Sequence, residues 1–283
     1  MTQARFIEEK IFRGLMLAAA GMVAGSLGLI LATVFVKGFR ALSFDMLFKT
    51  PQGGYYIGGG GGIANAIAGS LVLGLGATLL ALLVSLPLVF YLNVYLRRRS
   101  RLAFFIRFSL DVLWGIPSIV YGAFGFTVMV TLGLKASLLA GTLTVGLLII
   151  PIMARSMDEV FKMVPPELHE AAYALGSTRW EAAMKVILRQ AFPGLAAAVL
   201  IAFGRGIGDA ASVLFTASFT DALPTSLFRP VATLPLAIFF QLGTPFPEVQ
   251  ERGYAAALVL TLIVLAVSVL ARALTRRVTR HSR

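Results

Sequence analysis

Phe203-Gly204-Arg205-Gly206-Ile207-Gly208-Asp209 places an arginine and an aspartate four residues apart within an otherwise apolar run. On a helix that spacing puts both side chains on one face. Counted from Phe192, Arg205 lies roughly 20 Å along the axis at 1.5 Å per residue, near the middle of a bilayer. A charge at that depth costs about 2.5–3.5 kcal/mol on insertion scales, so an intramembrane charge marks a functional site or a helix–helix pair. A guanidinium suits oxyanions because its planar fork matches phosphate bidentately and never deprotonates. The chemistry predicted is anion handling, in which Arg205 meets a passing oxyanion while Asp209 holds the arginine and tunes its strength. The structural alternative is a salt bridge joining two helices. The glycines at 204, 206 and 208 weaken the helix and bare its backbone for close approach by a substrate or a neighbour.

Other chemistry is absent from the sequence. There is no cysteine, and the two histidines, His169 and His281, lie outside the apolar runs. Thiolate metal sites, cysteine nucleophiles and an intramembrane Ser–His hydrolase are thereby excluded. No cofactor or metal is expected on this chain. No Gly-x4-Gly-Lys-Ser/Thr loop occurs, so the chain is not expected to hydrolyse ATP or to act as an enzyme. Gly59-x-Gly61-x-x-Ala64 has no βαβ context and is discarded as a dinucleotide motif.

The elements that must carry the Arg–Asp pair are membrane spans. Hydrophobic residues make up 58% of the 283, charged residues 13%, and mean hydropathy is +0.86. A soluble domain carries about 25% charge, so the chain is an integral membrane protein. The net charge of +12 is distributed by topology, not by nucleic-acid binding: 18 of the 25 Lys and Arg fall on one side of the spans assigned below, six on the other, and Arg205 within one. That asymmetry places both termini in the cytoplasm.

Six spans are predicted in one domain covering residues 1–283. The first, about 14–36, is too long for a signal-peptide core and carries Gly21, Gly25 and Gly28, which would admit a close helix. Residues 37–62 form an outer connection made flexible by Gly58 to Gly62. The second span, about 63–96, exceeds the length needed and is expected to tilt or kink at Pro87. Arg97, Arg98, Arg99, Arg101 and Arg107 follow on the inner side. The third span, about 109–131, contains a Pro/Gly break from Trp114 to Gly122, and Asp111 is expected to pair with Arg107 one turn back. The fourth runs from about 137 to 153, the fifth from 190 to 215 and the sixth from 253 to 270. In the outer loop 216–252, the apolar stretch 231–242 is too short to span and reads as a re-entrant or interfacial helix.

Between the fourth and fifth spans lies a polar interruption, Arg155 to Arg189, read as two short helices with a hinge. Pro165-Pro166-Glu167 opens the first helix, Gly176 closes it, and Thr178 with Glu181 has capping-box spacing for the second.

Glu170-Ala171-Ala172 followed by Gly176 and a second helix resembles the EAA loop of ABC importer permeases, which docks into a cytoplasmic ATPase. The full pattern expects Ile-x-Leu-Pro further on, where this chain has Val186, Leu188 and Arg189, with proline delayed to Pro193. The segment from Arg205 to Asp209 is similar to Arg-Ala-Ile-Gly-Glu-Thr-Ala in PstA-type permease subunits of phosphate importers. Gly61 to Ile67, Gly115 to Gly122 and Pro165 to Leu168 agree. Two departures stand out: Asp209 replaces Glu, and Ala210-Ala211-Ser212 replaces Thr-Ala-Pro. The resemblance implies an all-α, six-helix type I ABC importer permease fold of the MetI-like kind, in the cell inner membrane. It implies inorganic phosphate as substrate, with Arg205 and Asp209 on its pathway and Glu170, Ala171, Ala172 and Gly176 in ATPase coupling. Its implied partners are a PstB-like ATPase dimer that uses the ATP, a PstC-like second permease, a PstS-like external phosphate-binding protein, and membrane lipid. Other expectations are an ABC permease for sulfate, molybdate or phosphonate, or a secondary anion transporter.

Overall fold

The structure, a computed structural model, describes residues 3–52, 60–96 and 100–279. Gly58, Gly59, Arg97, Arg98, Arg99 and His281 lie outside these. The described residues form eleven α-helices and two π-helical turns, with no strand among them. Five stretches are long and apolar enough to cross a membrane, and a sharply bent helix pair supplies the sixth.

Helix α1 (Gln3–Ala41) is exposed along most of its length. Gly21, Gly25 and Gly28 have nothing within 4 Å, so they do not seat a helix of this chain, contrary to the simplest use of such a stripe. Contact comes only near its end, where a Cβ on Gly38 would lie 2.7 Å from the Tyr254 carbonyl oxygen. The short helix α2 (Phe44–Phe48) is capped by Ser43, which accepts the Met46 N–H at 3.1 Å. Gly60 and Gly61 adopt φ of 90° and 87°, and Gln52 N–H donates to the Gly60 carbonyl at 3.1 Å while Ile63 N–H donates to Met46. The described part of the glycine run is therefore tied down: its glycines serve close backbone packing and positive φ rather than flexibility.

Helix α3 (Ala64–Phe90) holds Pro87 in its last turn and continues as a π turn, Tyr91–Tyr95. The third span breaks within the expected Pro/Gly stretch into α4 (Arg101–Gly115), which starts earlier than expected, and α5 (Ser118–Thr131), and the two meet at 97°. Pro117 forces the extended conformation on Ile116 (ψ 130°), which ends α4 and re-aims the chain.

Helix α6 (Leu138–Lys162) is the central element, packed on α3, α4 and α5 and on the later helix α9 (Leu188–Ile207). It runs nine residues past the expected boundary, so Arg155 to Lys162 form its last turns and not part of a loop. Its first N–H groups are satisfied from outside: Ser137, Leu138 and Leu139 donate to the carbonyls of Thr216, Arg229 and Leu227 at 2.8–2.9 Å. Between α6 and α9 stand α7 (Pro166–Ala174) and α8 (Arg179–Ala182). After α9 the chain is irregular until α10 (Leu234–Leu242), whose Leu234, Leu236 and Ala237 are fully buried against α3 and α11 (Pro247–Thr279).

One carboxylate ties the basic end together. Asp158 is 0% exposed and accepts a bidentate pair from Arg107 at 2.9 and 3.0 Å. It also accepts Arg155 at 3.2 Å, Lys162 at 2.8 Å and Asn93 Nδ2 at 2.9 Å. Asp111 pairs with Arg155 at 2.6 Å. The expected Arg107–Asp111 pair within α4 is thus replaced. An i,i+4 pair on a helix surface gains only a few tenths of a kcal/mol, whereas a buried bidentate acceptor is far stronger. The cluster joins the end of α3, α4 and α6. Replacing Asp158 with Ala takes the carboxylate partner from Arg107, while Arg155 and Lys162 keep Glu159, and is expected to cost about 3 kcal/mol; thermal denaturation of the purified protein reads this as a lowered midpoint, and an unchanged midpoint would remove the cluster's structural role.

Candidate functional site

The helix–Gly–helix element between α6 and α9 is built by local capping. Pro166 occupies the first position of α7, and Glu167 lies in its first turn, where a carboxylate suits the positive dipole end. Gly176 takes φ of 79°; Ser177 N–H donates to the Ala172 carbonyl and Gly176 N–H to that of Tyr173. This double bond pattern closes the helix through a left-handed residue that only glycine adopts without strain. Thr178 and Glu181 form the reciprocal capping box, with Glu181 Oε2 accepting the Thr178 N–H at 3.1 Å and Thr178 Oγ1 the Glu181 N–H at 3.3 Å.

Glu170 and Ala171 are exposed, whereas Ala172 is buried at 6%. Leu175 is 87% exposed, and Met163, Tyr173 and Trp180 also present apolar surface on this element. From behind, Phe90 packs edge-on against Phe161 at 5.1 Å and lies 6.3 Å from Trp180. A cavity of about 200 Å³ lies under α7, bounded by Asn93, Phe161, Val164, Pro166, His169 and Ile187.

The second helix of the element does not stop. Helix α8 passes through a π turn, Ala183–Ile187, directly into α9. The π turn contains Val186, which stands for the Ile of the family pattern, and α9 begins at Leu188 directly before Arg189, which stands for its Pro; Pro193 sits inside the helix without ending it. One continuous helix therefore leads from Arg179 to Arg205.

Arg205 lies in the last turn of α9, and the helix ends at the C-cap Gly208. Asp209 is thus beyond the helix rather than one turn along it, since three glycines in five residues remove the propensity needed to continue. Arg205 Nη1 and Asp209 Oδ1 remain 3.6 Å apart, with side chains 52% and 5% exposed. Asp209 turns its other oxygen, Oδ2, to accept the Ser212 N–H at 2.8 Å. The aspartate caps the irregular turn 210–217 and leaves the guanidinium half exposed, with spare donors for an anion. Proline, which the family pattern places at 212, has no N–H, so the two departures at 209 and 212 form one local unit. Gly122 of α5 packs on this turn, where a Cβ would lie 2.7 Å from the Ala211 carbonyl oxygen. Of the three glycines, Gly206 is the one pressed on another helix, 3.1 Å from Val145 by its absent Cβ.

Arg205 and Asp209 are brought together, while the Glu170–Gly176 element stands apart at the other end of the same helix. Two contributors escaped sequence reasoning, Ser212 and Asp158. The acidic and basic alternation Arg155-x-x-Asp158-Glu159-x-x-Lys162 was the available signal for the second.

Residues 77–280 match the family model described as binding-protein-dependent transport system inner membrane component. A phosphate transport system permease protein PstA from Yersinia pestis is 38% identical over 261 residues, covering 91% of this chain and 87% of the relative. The PstA of Haemophilus influenzae is 35% identical, covering 86% and 85%, and PstA 1 of Mycobacterium tuberculosis 34%, covering 79% and 72%. Among solved structures, the inward-facing MetNI methionine ABC transporter aligns with a TM-score of 0.60 and 19% identity, over 75% of this chain and 95% of that one. A bacterial alginate ABC transporter aligns at 0.61 and 15%, over 96% and 97%.

The cap geometry separates two roles of Asp209. Asp209→Asn keeps an oxygen for Ser212 and is expected to retain stability, whereas Asp209→Ala leaves that N–H buried and loses about 1–3 kcal/mol. Equal melting midpoints for both variants would assign Asp209 to the arginine alone.

Proposed function

The chain belongs to the family of binding-protein-dependent transport system inner membrane components, and from that premise we propose that it is the membrane-spanning permease subunit of an ATP-driven importer of inorganic phosphate. Its kinship with PstA permeases over most of its length supports the substrate. The observation that carries the mechanism is the single helix connecting the docking surface with Arg205.

The family works with an ATPase and a substrate-binding protein. In this reading the Arg-rich end faces the cytoplasm, and a PstB-like ATPase pair grips α7 and α8 through Glu170, Ala171 and the exposed apolar side chains around Gly176. Ala172 faces inward and seats α7 on the membrane helices. The permease contributes no ATP chemistry of its own. A PstC-like second permease covers the open face that α1 and Arg205 present, and a PstS-like binding protein delivers phosphate from outside.

Closure of the ATPase pair draws the two docking elements together and moves α8. Helix α9 transmits the displacement over about 30 Å, its 20 residues at 1.5 Å each. Arg205 at its far end moves with it, while the Asp158 cluster holds α4 and α6 as the frame. ATP-driven closure opens the pathway outward, and release after hydrolysis returns it inward. During passage, phosphate oxygens take the guanidinium donors that Asp209 leaves free.

The test is ATP hydrolysis by the complex purified with this chain in lipid, with and without phosphate-loaded binding protein. Phosphate-loaded protein is expected to stimulate hydrolysis, and Arg205→Ala to reduce phosphate uptake at least tenfold. Stimulation by another loaded oxyanion instead would overturn phosphate; absence of a copurifying ATPase would overturn the importer.

A further inference from the structure

Where the end of α1 meets the start of α11, a cavity of about 270 Å³ opens between the two helices, lined by Lys37, Arg40, Gln250, Glu251 and Tyr254 among others. Gly38 holds its walls together, since a Cβ there would lie 2.7 Å from both the Tyr254 carbonyl oxygen and Leu258 Cβ. Lys37 Nζ donates to the Tyr254 hydroxyl at 3.2 Å and stands 4.6 Å from the centre of its ring, a cation–π contact. Arg40, in the last turn of α1, and Glu251 border the same space, yet neither closes an ion pair among the described residues.

The two walls differ in chemistry. Helix α1 offers the cationic donors Lys37 and Arg40. Helix α11 offers acceptors, the Glu251 carboxylate and the Gln250 side-chain oxygen, because the Gln250 amide nitrogen already donates to the Thr244 carbonyl at 2.8 Å. The cavity also lies where both apolar runs end. Lys37 is the first charged residue after the run 14–36, and Arg252 is the last before the run 253–271. That is the headgroup level of a bilayer, where tyrosines and snorkelling cations settle. Phe35, Val36 and Phe39 keep apolar surface exposed on the same turns of α1. A water takes about 30 Å³, so the space admits a group of several heavy atoms.

A ligand of one sign leaves one wall unpaired. Inorganic phosphate or an acidic peptide would set negative charge against Glu251, and a simple amine would meet Lys37 and Arg40. We propose that Lys37, Arg40, Gln250 and Glu251 bind the headgroup of an aminophospholipid of the phosphatidylethanolamine type. Its phosphodiester sits against Lys37 and Arg40, its ammonium donates to Glu251 and Gln250, and its acyl chains run along the apolar surface of α1. The bound lipid braces α1 against α11 and fixes the angle at which the otherwise exposed α1 leaves the bundle. The site goes beyond the transport reading and needs only that the chain sit in a bilayer.

Native mass spectrometry of the complex purified with this chain, washed in detergent and supplied with phosphatidylethanolamine or phosphatidylglycerol, counts the lipid retained. The unmodified complex is expected to keep a phosphatidylethanolamine that phosphatidylglycerol does not replace and inorganic phosphate does not displace. Arg40→Gln and Glu251→Gln change exposed side chains, so both variants fold, and each is expected to lower that retention at least about fivefold. Lys135→Gln, which removes a cation outside the cavity, is expected to leave it unchanged. Absence of a retained lipid, equal retention of both lipids, retention indifferent to the two cavity variants, or displacement by inorganic phosphate would each overturn the site.

Discussion

The buried carboxylate of Asp158 is the interaction on which the basic end of the molecule depends. A fully desolvated anion is tolerated only when its lone pairs are used, and here Arg107, Arg155, Lys162 and Asn93 use them. Because those donors come from α4, from α6 and from the π turn after α3, none of the three can shift alone without exposing charge. The bend between α4 and α5 is anchored by the same cluster, since Arg107 and Asp111 both face α6. What remains free of it is the α7–α8 element, whose Trp180 meets Phe90, itself packed on Phe161, over a small cavity.

A rigid frame beside a continuous α8–α9 helix makes a simple division of labour. π turns occur at the ends of both α3 and α8, flanking the cavity under α7, and such turns often mark functional sites within helices. Arg179–Ala182 and Arg205 lie on one continuous helix, while α3, α4 and α6 are held by charge.

The other constraint is irregular backbone at membrane depth. Between Gly208 and Ala217 the chain leaves the helix, and this is admissible only where protein satisfies the freed groups. Asp209 takes the Ser212 N–H, Thr216 supplies its carbonyl to Ser137, and Val231 N–H donates to Ala217. Small residues allow the surrounding helices to come close enough: Gly122 against the turn, Gly125 against Thr144, and Gly141 against Ala217 and Leu73. The result keeps Asp209 buried and Arg205 open on the same site, which neither a straight helix nor a polar loop would give.

The parts of this protein that the amino-acid order determined by itself are those with local causes. The apolar runs set the number of crossings because hydrocarbon thickness dictates their length. Pro166, Gly176, Thr178 and Glu181 set the ends of α7 and α8 because capping acts within four residues. The stretch 231–242 was too short to span, and α10 is correspondingly a buried inserted helix. Tertiary structure decided what depended on distant partners. Arg107 abandoned Asp111 for Asp158 because burial strengthens an ion pair that spacing alone leaves weak. The helix ended between Arg205 and Asp209, where three glycines weaken it, and Asp209 turned to the Ser212 N–H. Gly206 serves α6, while Gly21, Gly25 and Gly28 meet nothing in this chain, although all of them look alike in sequence.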